Sequence, residues 1–578
     1  MKRRELFGSA HGVTVGGTSI LLGLETVKPQ SPTWGLDRFR IIPASVTLWG
    51  PPQGQMPFHS SLQQIPMTCN QRLLAAISLA ALSLPAQNFE LSLEGGSVPG
   101  PLAINIEGVN PFEFVVLIPS SNNGPTPIGL FDPADLRSLD VGLDLLGGTI
   151  TTLSGLFGDA TVQLQVPPSP AFVDRALFWQ AVTFQFQPTL INQISNPDVV
   201  RFGTAGAFRD RNLQTFDLRA FATALVRDDN KPLLVGGARG ALLAQVATDQ
   251  TEIYDPVTDL FVPGPVMTSP RSLHTQTEML DGRFLITGGV DDGNNPQALA
   301  EIYDPATDTF TAVTPMNVPR CGATANLLDD GRVLLTGGLE ALSTMPTQLS
   351  AIRDAVDSTE IYDPVTNTWT MGPSLTEPRA GHMSMQRTDG KIMLCGGISW
   401  YPVIFIGWLP TVETSCDIYD PATNTISAGP SMNDARALIE PVEIGPDRWL
   451  LAGGMNGLSI IPLNAGSPTN TAEIYDANTN AWTSVGSMAT ARVNQKGWAL
   501  PNGTFMLAGG GEGSILAPVS LDTTEIFDPA TNTFSPGPTM NSPRAAAGML
   551  FMPTGQVFLF GGASTNATVT NTTEWYFF

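Results

Sequence analysis

The residues that could do chemistry in this chain are few, and their spacing is poor for catalysis. There are four histidines in 578 residues. Two of them, His274 and His382, stand in the C-terminal two-thirds, each three residues after an arginine, with no local metal-ligand spacing. Filling structure is their simplest role. The four cysteines, Cys69, Cys321, Cys395 and Cys416, form no CxxC pair and no dense disulfide framework. No GxSxG elbow and no HExxH helix appears. Asp291-Asp-Gly-Asn-Asn295 offers oxygen ligands for calcium but lacks the rest of an EF-hand spacing, so it reads as a solvated turn. The expectation is no catalytic residue, no metal and no cofactor.

The aromatic run Ile398–Cys416, ISWYPVIFIGWLPTVETSC, carries the best binding chemistry. Trp400, Tyr401, Phe405 and Trp408 could stack on sugar rings or anchor a protein partner. They could equally pack against neighbouring loops. Cys395 and Cys416 bracket this run and could form a disulfide at its base, given a match in strand register. Cys321 reads as a buried thiol.

The elements that must hold these residues come from a repeat. EIYDPATDTF from Glu301 recurs in variant form from Glu252, Glu360, Asp417, Glu473 and Glu525, and a truncated copy starts at Glu574. Nine residues after each complete opener comes an aromatic or aliphatic residue, and ten later an arginine. A Gly-Gly pair follows 17 residues after that. The arginines are Arg271, Arg320, Arg379, Arg436, Arg492 and Arg544; an upstream Arg219 precedes Gly236-Gly237 by the same 17 residues. Only the interval from Gly-Gly to the next opener varies, from 13 to 23 residues. The run before Gly-Gly (FLIT, VLLT, IMLC, WLLA) is apolar without alternation, as in a strand buried on both faces. Asp-Pro-x-Thr-Asn/Asp is turn chemistry, and Asp-Gly pairs mark tight hairpins. Each repeat is therefore a four-stranded antiparallel meander. An arginine in every repeat reads as scaffold that could pair with Glu252, Glu301, Glu360, Asp417, Glu473, Glu525 or Glu574 in its own or a neighbouring unit, with anion binding in a central channel as the other reading.

A Gly-Gly pair followed by tyrosine and an aromatic at short fixed spacing resembles the kelch family of β-propellers, over roughly residues 205–578. Seven arginines, seven Gly-Gly pairs and seven openers imply seven blades. The last repeat lacks its own outer strand, and a strand around residues 203–211 is expected to supply it. Galactose-oxidase-like enzymes share this fold and bind copper through two Tyr and two His. Here six of the seven tyrosines occupy the repeated IYD slot or its equivalent, only Tyr401 lying outside it, so a copper radical site cannot readily be assembled.

Net charge is −23 with a pI near 4.4, which leaves no basic surface for nucleic acid and disfavours anionic lipid. Residues 88–197 hold short apolar runs between Gly, Pro and Asn, among them Phe112–Ile118, expected as a buried strand. They fit a small β-sandwich-like domain ending at Asn196-Pro197. ALFWQAVTFQFQPT resembles an accessory β-domain of exported bacterial proteins. Met1-Lys-Arg-Arg resembles a twin-arginine leader. Met67–Gln87, with its apolar core Leu73–Leu84, reads as a signal peptide too short to span a membrane.

The whole chain is thus expected to be all-β. Residues 1–66 would be a disordered leader or upstream sequence and 67–87 a signal peptide. A sandwich-like domain at 88–197 would precede a seven-bladed kelch propeller at 198–578. The leading functional expectation is an exported, periplasmic or cell-surface, non-catalytic module. It would bind protein or glycan through the long loops Leu339–Thr359, Ile398–Cys416 and Met455–Ala472 on one face. An oxidase-like enzyme and a structural envelope protein are the alternatives.

Overall fold

The computed structural model describes residues 88–578 apart from short internal segments: 131–134, 156, 185–189, 241–245, 342–354, 404–406, 461–462, 515–516 and 565–567. It also describes the backbone of one hairpin, Gly12–Val15 with Thr18–Leu21. Contacts divide the chain into residues 1–79 and 80–578. The signal-peptide reading of 67–87 lies outside the described residues.

Eight strands of four or more residues open the second unit: β1 (Glu90–Gly95), β2 (Gly100–Glu107), β3 (Phe114–Ser120), β4 (Ile150–Leu153), β5 (Ala160–Val166), β6 (Ala176–Phe184), β7 (Ile191–Ile194) and β8 (Asp198–Arg201). β5-β2-β1 form one sheet; β7-β6-β3-β4, with β8 also on β6, form the other. The two share an apolar core that includes Leu93, Ile104 and Val115 with Trp179 and Val200. β8 carries the second sheet past Asn196-Pro197, because Val199 and Val200 pair with Phe178 and Leu177. Phe112–Ile118 is not buried throughout. The strand starts at Phe114 and alternates at first, so Val115 and Leu117 are buried while Phe112 and Phe114 are 60% and 69% exposed.

Seven four-stranded antiparallel sheets follow. In six, chain order is spatial order, as in Phe284–Thr287 between Thr275–Glu278 and Ala300–Asp304, with Thr309–Val313 outermost. These six, from Thr223 onward, are sheets I–VI. Sheet VII takes Gly548–Phe551, Val557–Phe560 and Thr573–Phe577 from the C-terminal end, and its outer strand is Ala207–Arg209. The second strand of each sheet is buried along its length, save Arg448 at the start of one, as apolar runs without alternation require.

Apolar clusters join each sheet to the next. Between sheets I and II, Leu233 and Val235 pack with Ile286 and Tyr303. Sheet VII meets sheet I through Phe558 and Trp575 with Leu234 and Tyr254. The Gly-Gly pairs repeat this order in hydrogen bonds. The second glycine donates its N–H to the carbonyl of the next sheet's arginine, from Gly237 to Arg271 (2.9 Å) round to Gly562 to Arg219. A Cβ on Gly236 would sit 2.5 Å from the Arg271 carbonyl oxygen, and its φ is +59°. Both facts restrict the position to glycine.

The EIYDP turn explains its own composition. The aspartate side chain accepts the N–H two residues on, as Asp304 does from Ala306 (3.0 Å). Four residues after it an Asp or Asn takes a left-handed φ, +53° at Asp308 and +51° at Asn424. That residue's side chain accepts the tyrosine hydroxyl, Tyr303 to Asp308 at 2.9 Å and Tyr419 to Asn424 at 3.1 Å.

Candidate functional site: the long-loop face and the channel mouth

The seven arginines are all buried. Each reaches the acidic opener of its own sheet: Arg219–Glu252, Arg271–Glu301, Arg320–Glu360, Arg379–Asp417, Arg436–Glu473, Arg492–Glu525 and Arg544–Glu574, at 2.7–3.0 Å. The Nη1 of each also donates to the first glycine carbonyl of the pair and to a carbonyl just before the opener, as Arg379 does to Gly396 and Ser415 (both 2.9 Å). The carboxylates in turn accept backbone N–H groups of the arginine loop, as Glu360 does from Asn317 (2.7 Å) and Val318 (3.0 Å). Burial pulls the Arg271 guanidinium below its ordinary range, and the Glu301 carboxylate opposes that. These groups knot three loops of one sheet together, so no arginine of the ring is free to take a ligand.

The histidines are inter-sheet pins. His274 Nε2 lies 2.9 Å from Thr223 Oγ1, and His382 Nε2 lies 2.9 and 3.0 Å from Thr324 and Thr336 Oγ1. Burial, with a neighbouring arginine, holds both near pKa 3. Both stay neutral at physiological pH and are not proton shuttles. The repeat tyrosines are equally committed; burial pushes Tyr254 up to about 12. Among the described residues no group of three His, Cys, Asp or Glu is placed to hold a metal.

The residue after each arginine bridges to the residue after the Gly-Gly pair, as Ala380 does to Ile398 and Ala437 to Met455. This register puts the arginine loops and the variable intervals on one face. Four of those intervals form hairpins: Ala238–Arg239 with Val246–Ala247, Ile398–Val403 with Gly407–Val412, Met455–Ile460 with Leu463–Pro468, and Gly511–Ser514 with Ala517–Ser520. The last three, from sheets IV, V and VI, stand side by side.

Trp400, Tyr401 and Trp408 occupy the second hairpin, with Trp400 opposite Pro410, Tyr401 opposite Leu409 and Trp408 opposite Pro402. Phe405, and most of the Leu339–Thr359 loop, lie outside the described residues. Ile398 and Val412, paired at the base of this ladder, are buried against Ala437 and Met455. Cys395 and Cys416 are directly opposed at the hairpin's base, Cα atoms 4.2 Å apart, and are disulfide-bonded. Cys321 is a buried free thiol.

At the centre of this face is a cavity of about 250 Å³. Sequence reasoning missed what rims it. The residue two after each arginine has a left-handed φ of 50–59°: Phe221, Leu273, Gly322, Gly381, Leu438, Asn494 and Ala546. Their backbones bond from sheet to sheet, Gly381 N–H to Gly322 (2.9 Å), Leu438 to Gly381 (2.8 Å), Asn494 to Leu438 (2.9 Å), Ala546 to Asn494 (3.0 Å) and Phe221 to Ala546 (3.1 Å). Left-handed backbone at Phe or Leu is costly, so the ring imposes it. Their types share nothing; only their offset from the arginines could have found them. Beside this collar Lys496 is ion-paired with Glu440, and both line the cavity.

The kelch motif matches residues 275–317, 319–376 and 450–489. An F-box/kelch-repeat protein from Arabidopsis thaliana is 27% identical over 148 residues, 25% of this chain and 32% of that protein. The match thus spans about a third of that relative's length. Among solved structures, YjhT is 14% identical with a TM-score of 0.40, over 53% of this chain and 95% of that one. A fungal alcohol oxidase of the AA5 family in complex with copper is 17% identical with a TM-score of 0.48, over 64% of this chain and 75% of that one. The chain thus carries kelch motifs, and its described residues are almost entirely β, in four-stranded sheets packed neighbour on neighbour.

Proposed function

We propose that the seven sheets are the blades of a closed propeller behind a sandwich-like domain, and that the chain is an exported, non-catalytic binding protein. Its long-loop face recognises a protein or carbohydrate. One observation carries this reading: the intervals that vary in length follow the Gly-Gly pairs on the face of the arginine loops, where three of them form hairpins standing side by side. The histidines and repeat tyrosines that an oxidase reading would need are pinned between sheets or in turns. Export rests on the apolar core Leu73–Leu84 and its basic flank.

The test is a glycan array run beside cell-surface pull-downs, with the Trp400→Ala/Trp408→Ala double variant as control. A ligand retained by the wild type and released at least about tenfold faster by the variant is expected. Equal retention by both proteins removes the aromatic hairpin from the site. Substrate turnover by the wild type ends the non-catalytic reading.

A further inference from the structure

The sheet β5-β2-β1 has two edges, and they are finished differently. Along β1 the edge groups are occupied by side chains. Leu91 N–H donates to Asn196 Oδ1 (2.7 Å), Asn196 Nδ2 donates to the Leu91 carbonyl (2.9 Å), and Leu93 N–H donates to Asp198 Oδ2 (2.9 Å). Along β5 no such cap exists among the described residues. Its seven residues, ATVQLQV, pair with β2 in unbroken register, and no described strand pairs with them on the other side. The usual protections of an edge are missing, since β5 has no charge, no proline and no bulge. Thr161, Gln163 and Gln165 are exposed. Ala160, Val162 and Leu164 pack on the core yet are only partly buried.

We propose that this edge is a strand-addition interface, and that its occupant is β5 of a second copy of the chain, antiparallel about a two-fold axis at Gln163. The sequence is self-complementary in that register. Gln163 faces its own copy, Thr161 faces Gln165, and Val162 faces Leu164. One side of the new ladder is an uncharged Thr/Gln row, and the other extends the apolar row above the core. In a chain of net charge −23 the nearest charge, Asp159, falls opposite Pro167 and far from its own symmetry mate. Phe157, 57% exposed, is carried alongside Pro168 and Ser169 of the second copy. The two three-stranded sheets become one of six strands. Such an interface is at the low end of specific ones, roughly 1,000 Å², the size class of weak, reversible association. It does not use the long-loop face, so it stands or falls apart from the ligand reading.

Sedimentation velocity of the full chain carrying Cys69→Ser, over about 1–100 µM, should show a monomer–dimer equilibrium. Gln163→Lys places two ammonium groups face to face and should weaken the dimer at least tenfold, without touching the buried side of β5. Gln163→Cys should give a covalent dimer on mild oxidation, because directly opposed residues lie within disulfide reach. Thr151→Cys, on the edge strand β4 of the other sheet, should not. A monomer throughout that range overturns the proposal. So does a dimer indifferent to Gln163→Lys, or one in which Thr151→Cys cross-links as readily.

Discussion

Among single residues, the seven arginine–carboxylate pairs were legible because constant spacing survives every loop. Which sheet each arginine serves was not, since spacing alone fits its own unit or the next. Asp198 was invisible, as a lone aspartate after proline has no pattern. Its carboxylate caps β1 with no cationic partner among the described residues, and burial raises its pKa to about 7, against the N–H groups of Val199 and Leu93 that lower it. The native state therefore holds a proton between about pH 4 and 7 that the unfolded chain has released, and Asp198's contribution to stability falls as pH rises through that window. Thermal unfolding of the wild type and Asp198→Asn at pH 4.5 and 8 should show the variant gaining on the wild type by about 3 kcal/mol at the higher pH. A constant difference would mean that Asp198 is ionised throughout.

For elements, the apolar second strands and the EIYDP turns were readable from composition, because burial on both faces and left-handed backbone restrict residue type. Phe112–Ile118 was misread since a short run of apolar residues does not reveal where alternation begins, and Phe112 and Phe114 point outward. The collar round the cavity was unreadable: its conformation is imposed by neighbouring sheets, and Phe, Leu, Asn, Gly and Ala all accept it there. The turn makes two separable demands, a left-handed φ and an acceptor for tyrosine. Asn424→Gly should keep the first and lose the Tyr419 bond, costing about 1 kcal/mol in urea unfolding. Asn424→Val loses both and should cost about 2–3 kcal/mol. Equal costs would show that only one demand operates.

Across the whole molecule, repeat counting pointed to a strand around residues 203–211 as the outer strand of sheet VII. The pairing of Ala207–Arg209 with Trp575–Phe577 fills that place, and Phe208 packs on Trp498 and Tyr576 between sheets VI and VII. Phe208→Ala should cost about 3–4 kcal/mol and lower the melting temperature of the repeat region by about 4–5 °C in one transition. A separate early transition, with the rest unchanged, would show that the sheets melt independently. The ligand was not legible at any scale, because the hairpins that would contact it follow no repeat.

The same strand sets an order of events. Its partner lies some 370 residues away along the chain, yet closing so long a loop costs only about 2–3 kcal/mol more than closing one of about 20 residues, since the entropy grows logarithmically. Thermodynamically the distance is nearly free. In time it is not: during synthesis, sheets I to VI can each form as they emerge, but sheet VII waits for Thr573–Phe577. Until then Ala207–Arg209 has no strand to pair with. A chaperone that shields this segment would protect a strand that the nascent chain cannot yet pair.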